Sequence, residues 1–249
     1  MIILKKDSEI AKMRESGRVV ARTIRLMSEA IVVGKTTTGD LDDLAKRLIE
    51  EAGGTPSFLN YRGFPKSACI SVNEEVVHGI PGPRVLADSD IVTLDIGVFL
   101  NGWHADSAWT FPVGKISEDA QRLLNVTRES LFQGISKAKI GNRIGDIAFA
   151  VQRYCEQNNY GVVRDLTGHA IGQKLHEEPS VPNFGKPKTG APLRAGMTIC
   201  IEPMVNQGTH KTKTLADDWT VVTGDGKLSA HFEHTVAITR DGPVILTIE

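Results

Sequence analysis

The sequence predicts an α/β protein of the α+β kind, built from two similar halves in which helices cover one curved, mostly antiparallel sheet. Three observations predict it. A pair of amphipathic helical segments opens the chain and gives way to β-branched segments. The same order returns roughly 100 residues further on, as an internal duplication does. No Ser/Gly linker or low-complexity tract divides the two stretches, so the chain reads as one domain spanning 1–249, with halves of about 1–114 and 115–249. Halves packed about a pseudo-two-fold axis leave a cleft between them where polar groups can converge.

The elements follow in order. From Asp7 to Ile31 the apolar residues Ile10, Met13, Val20, Ala21, Ile24, Met27 and Ile31 fall at helical spacing, after an Asp7-Ser8-Glu9 start rich in capping residues. A second helix is expected from about Asp40 to Ala52, with Leu41, Leu44, Ala45, Leu48 and Ile49 inward and Gly53-Gly54 ending it. The stretch SACISVNEEVVHGIP turns to β-branched residues, and IVTLDIGVFLNGWHADSAWTF reads as two strands around a Leu100-Asn101-Gly102 turn. In the second half Ser117-Glu118 opens a helix to about Ala138, and Gly145-Asp146 opens another. The strand-like MTICIEPMV and HFEHTVAI come after them.

Composition narrows the function. With 249 residues, 41% of them hydrophobic, the chain can bury a full core, which excludes disorder and collagen-like structure. A net charge of −1 with no basic run gives no footprint for nucleic acid. No apolar stretch approaches the roughly 20 residues that cross a bilayer, and the start, MIILKKDSEI, lacks a secretory core, so no membrane partner is expected. Cys69, Cys155 and Cys200 are too far apart for a zinc knuckle and too few for a disulfide framework, which fits a reducing cytoplasm. Nothing suggests a coiled coil, and a monomer is expected.

Acids stand where strands want apolar residues. Asp95 interrupts the run from Ile91 to Leu100, and Asp106 lies on the returning strand. A loop centred between Leu100 and Asn101 sets the two opposite each other. A two-residue Asn101-Gly102 turn sets Asp95 opposite Ala108, with Asp106 still on the same face. In either register two like charges face one side of a sheet, which is costly unless a cation lies between them; the plainer alternative is that one of them sits at a wet strand end. Glu202 ends an apolar strand and Glu233 enters one, while His169 lies between glycines in LTGHAIG. A lone histidine beside an apolar face is more often a satisfied core residue. Four carboxylates and an imidazole drawn from both halves, however, suit a paired site for Mn, Fe, Co or Zn. Without metal, clustered acids should have raised pKa values, so metal affinity should fall as pH drops.

At this point the segments VNEEVVHGIP, LDIGVFLNGWHADSAWTF, TGHAIGQKLHEEPSVPNFG, ICIEPMV, DDWTVVT and LSAHFEHTVAIT closely resemble the type I methionine aminopeptidases, over nearly the whole chain. The resemblance implies the duplicated "pita-bread" fold and two divalent ions, Co, Mn, Fe or Zn, per chain. It implies Asp95, Asp106, His169, Glu202 and Glu233 as ligands, with Asp106 and Glu233 bridging. It makes His78 and His176 substrate-facing histidines that are not ligands, and gives no role to His104, His210, His231 or His234. Tyr61, Phe64, Cys69 and Trp219 match the methionine pocket, flanked by Phe58 and Leu175. Leu175 departs from the family's frequent aromatic there, which alters the pocket's shape.

The implied reaction is hydrolysis of the first peptide bond of nascent polypeptides when residue two is small. Glu202 shuttles the water proton, His176 bonds the carbonyl oxygen and His78 contacts the scissile amide. A chain starting Met1-Ile2 is expected to keep its own methionine. Transient proximity to the ribosome is expected, without the zinc-finger region of longer type I members. The short span from Glu202 to Glu233 leaves no room for the type II insertion. The rivals are a Xaa-Pro aminopeptidase or prolidase relative, which would generally need an extra N-terminal domain, and a metal-free binding module, which would be expected to have lost ligands.

Overall fold

The structure, a computed structural model, describes residues 2–249, so the expectation about Met1 lies outside the described residues. Helix α1 (Asp7–Glu29) starts where the Glu9 carboxylate turns back to accept the Lys6 N–H at 2.7 Å, so the cap comes from Glu9 rather than from Asp7 or Ser8. Helix α2 (Thr38–Glu51) begins with a reciprocal box. The Asp40 N–H donates to the Thr37 hydroxyl oxygen at 3.0 Å, and the Thr37 N–H donates to the Asp40 carboxylate at 2.8 Å. Helix α3 (Glu118–Ile135) is capped by Ser117, and α4 (Ile144–Gln157) by Asp146, which accepts the Arg143 N–H at 2.8 Å. α1 and α2 bury Val20, Ile24, Met27, Leu41 and Ile49 against Ile70, Leu94 and Ile96. α3 and α4 bury Leu123, Leu131, Ile147 and Val151 against Ile199, Ile201 and Val236. Each half thus folds its own helix pair onto its own strands.

All the paired strands are antiparallel among the described residues, in hydrogen-bonded groups of four, three, three and five. The long hairpin Ile91–Leu100 and Trp103–Pro112 is the centre of the first half. Its turn is the two-residue Asn101-Gly102, both at positive φ, which sets Asp95 opposite Ala108 and Asp106 opposite Gly97. The strand Cys69–Val72 flanks it, with Cys69 opposite Asp95.

In the second half the chain crosses twice between the five-stranded and a three-stranded sheet. Strand Thr198–Ile201 pairs with His234–Thr239, then Met204–Asn206 pairs with Ser229–His231. Glu202 and Glu233 occupy the two breaks in these paired strands, outside the regular ladder. Residues freed from the ladder can aim their side chains away from the pleat.

The halves are joined where the hairpin meets these breaks. The Asp106 N–H donates to Thr235 Oγ1 at 3.0 Å, and the Thr235 hydroxyl donates to the Asp106 carbonyl at 2.8 Å. The Glu233 N–H donates to the Ala108 carbonyl at 2.8 Å. Thr110 Oγ1 accepts the His231 N–H at 2.9 Å and donates to the His231 carbonyl at 2.8 Å. Asp106 and Glu233 are thereby fixed to one another's strands.

Candidate active site

A cavity of about 270 Å³ opens at this junction. All eleven residues singled out by the sequence line it: Asp95, Asp106, His169, Glu202 and Glu233 at one end, with His78, His176, Tyr61, Phe64, Cys69 and Trp219 around them. Phe58 and Leu175 line it too, both buried, as do Arg62, Asp165 and His231, which the sequence reading had not placed there.

The acidic end is buried. Asp95, Asp106 and Glu233 are buried, and Asp95 Oδ1, Asp106 Oδ1 and Glu233 Oε1 have no hydrogen-bond partner. Burial, with the neighbouring acids adding to it, pushes Asp106, Glu202 and Glu233 well above the ordinary carboxylate range, and burial raises Asp95 to about 8. His169 Nε2 lies 3.9 Å from Asp106 Oδ2 and 3.7 Å from Glu202 Oε1. Its Nδ1 is 3.0 Å from the Ala170 carbonyl. An N–H at Nδ1 donating there leaves the Nε2 lone pair facing the acids, and burial keeps the ring neutral, with its pKa lowered to about 3.

Ligand atoms of Asp106, His169, Cys200 and Glu233 lie within 4.8 Å of one another. Cys200 is the odd member: burial among acids drives its pKa far up, so it stays a neutral thiol. Orphaned carboxylate oxygens and a free imidazole nitrogen in one buried pocket are what a divalent cation needs. The residues present fit such a group.

The other walls are organised differently. The Tyr61 hydroxyl and His176 Nδ1 are 2.8 Å apart, the rings stack at 5.2 Å, and His176 lies 4.1 Å from His169, ring to ring. Burial, then the Arg62 guanidinium and His78, lower the His176 pKa to about 4. His78 is held at φ +60, edge-on to Trp219 at 6.3 Å, and burial lowers its pKa as well. Phe64 meets Trp219 edge to face at 5.2 Å. Cys69 is buried and its thiol is pushed well up, which makes it an inert part of the wall. His104 bonds Ser57 Oγ at 2.8 Å, and His234 bonds Thr247 Oγ1 at 2.7 Å; neither lines the cavity.

A buried acidic cluster beside neutral histidines fits a metal-dependent enzyme. The profile of Metallopeptidase family M24 matches residues 11–240. The methionine aminopeptidase of Clostridium perfringens is 54% identical over 100% of this chain and 99% of its own length. The crystal structure of methionine aminopeptidase from Rickettsia prowazekii superposes with a TM-score of 0.98 at 41% identity, covering all of both chains. Prolidase from Pyrococcus furiosus, at 20% identity and a TM-score of 0.80, shares the fold alone and is covered over 66% of its length. The chain belongs to metallopeptidase family M24, as one of its type I methionine aminopeptidases with the pita-bread fold. Divalent metal binding belongs to that family, and among the described residues no helix is long and apolar enough to cross a membrane.

Proposed function

We propose that this cavity removes the N-terminal methionine from nascent polypeptides whose second residue is small. The observation that carries the reading is the convergence of four acids, His169, His78, His176 and an apolar wall on one cavity. Asp95, Asp106, His169, Glu202 and Glu233 would hold two divalent ions, of Co, Mn, Fe or Zn. Such ions lower the pKa of water from about 15.7 toward 7 and so supply a nucleophile at neutral pH.

The chain's own groups do the rest. The acidic end receives the free α-amine, which restricts hydrolysis to the first residue. Glu202 takes the proton of the attacking water and passes it to the leaving amine. The Tyr61 hydroxyl donates to His176 Nδ1, leaving Nε2–H to bond the scissile carbonyl oxygen as it gains charge. His78 contacts the scissile amide. Tyr61, Phe64, Cys69 and Trp219, with Phe58 and Leu175, enclose the methionine side chain, whose sulfur gains about 0.3–1.5 kcal/mol against aromatic edges. The compact side chain of Leu175 leaves this pocket wider than an aromatic ring would.

The unit of function is one catalytic domain over 1–249, with halves 1–114 and 115–249. It is read as a monomer working in the cytoplasm close to the ribosome. The test is release of methionine from Met-Ala-Ser and Met-Leu-Ser peptides by metal-depleted protein titrated with Co, Mn, Fe and Zn. Metal-dependent cleavage of the Ala peptide alone, lost in Asp106→Asn, is expected; preference for a Xaa-Pro peptide sinks the methionine reading.

A further inference from the structure

We propose that His231 is a positioning residue for Glu202, fixing the outer oxygen of that carboxylate, an inference that rests on Glu202 handling the water's proton. His231 is 2% exposed, yet neither of its ring nitrogens has a hydrogen-bond partner. A buried donor without a partner is costly, so a histidine serving only as core would be paired or replaced by an apolar residue. This one is held firmly in place. Thr110 bonds both its N–H and its carbonyl, and its strand pairs it with Met204, so its backbone is fixed at the junction between halves, beside the cavity that its side chain lines.

Its position relative to Glu202 is specific. Nε2 of His231 lies 3.9 Å from Glu202 Oε2, while Nε2 of His169 lies 3.7 Å from Oε1. The carboxylate stands between two imidazoles, one at each oxygen. The side-chain amide of Asn183 donates to the backbone carbonyl of this glutamate and leaves its carboxylate free to turn. Catalytic hydrogen bonds are commonly long before the site is loaded and close when it is. An N–H on His231 Nε2 then holds Oε2, keeps Oε1 turned toward His169, and stops the carboxylate from rotating out of line with the attacking water. His169 and His231 thus have opposite tasks, one presenting a lone pair and the other an N–H.

The test uses the metal-loaded enzyme and three substitutions. His231→Leu keeps the bulk and removes the donor; kcat should fall about ten- to a hundredfold with KM changed less than about threefold, the size typical of groups that orient a metal-site ligand. His231→Gln, which keeps an N–H, should restore most of that rate. The visible absorption of the Co(II) form should shift in the Leu variant and return in the Gln variant. In the unaltered protein, nitrogen-15 imidazole spectra should place the His231 proton on Nε2. A Leu variant with parental kcat, equal impairment of Leu and Gln, or a proton on Nδ1 overturns the proposal. Glu202→Gln separates the two levels of inference: parental activity there removes the Glu202 reading itself, whereas an inactive Glu202→Gln beside a fully active His231→Leu removes only the role of His231.

Discussion

Asp106 meets more of the site's constraints than any other side chain. Its backbone is tied to Thr235, one carboxylate oxygen lies 3.9 Å from His169, and the other is buried with no partner. Asp106→Asn keeps the shape and removes the charge, so it should abolish metal binding, read by calorimetry, as well as turnover. His176 is different, because the role proposed for it is on the substrate's oxygen rather than on metal. His176→Ala should lower kcat about a hundred- to a thousandfold, in line with loss of one oxyanion donor at roughly 3–4 kcal/mol, and leave metal affinity near the parental value. A matching fall in metal affinity would place His176 among the ligands instead.

At the level of elements, the site is made by interruptions. Glu202 and Glu233 sit where two paired strands break and change sheets, and His169 sits on Gly168–Ala170, where the ladder to Glu177–Val181 slips by a bulge. Gly168 is what lets that short strand in. A Cβ there would stand 2.4 Å from the Cys200 carbonyl and 3.2 Å from Glu202 Cγ. Gly168→Ala should therefore push His169 away from Glu202, weaken metal binding and cut kcat at least tenfold, as misplaced site ligands do; unchanged calorimetric affinity would contradict it.

Much of this was legible in the sequence. The four helices were readable from apolar spacing and capping residues, and the hairpin from Asn101-Gly102. The four acids stood out because they interrupt or border apolar runs, and His169 because it lies between glycines. What escaped were contacts between distant segments. His231 ends the strand Ser229–His231 two residues before Glu233, and only the turn into the cavity distinguishes it from the paired His234. The cap on α1 also moved to Glu9, since a carboxylate reaching back satisfies the Lys6 N–H from within the first turn.

Across the whole molecule, the acids set the pH behaviour. Asp95 is raised from 3.8 to about 8, so the fold favours its protonated form. That contribution is full below pH ~4 and lost as pH rises through 8. Chelator-treated protein should accordingly lose stability from pH 7 to 9, by on the order of 1 kcal/mol from Asp95 alone, seen as a falling urea midpoint. Metal should reverse the trend, adding about 2.7 kcal/mol at a hundredfold excess over Kd. Its binding should also release protons, so that affinity weakens as pH falls. A midpoint that rises from pH 7 to 9 in the chelated protein would contradict the buried-acid account.

The stitching of Asp106 to Thr235, Ala108 to Glu233 and Thr110 to His231 spans well over a hundred residues of chain. Synthesis runs from the N-terminus at roughly 5–20 residues per second, so the hairpin bearing Asp95 and Asp106 emerges many seconds before its partners. Through that interval the two acids remain on an open sheet edge in water, where they are easily solvated and unable to grip an ion. The catalyst is therefore completed only after Thr235 has been made, and closure of so distant a contact is expected to set the pace of its folding.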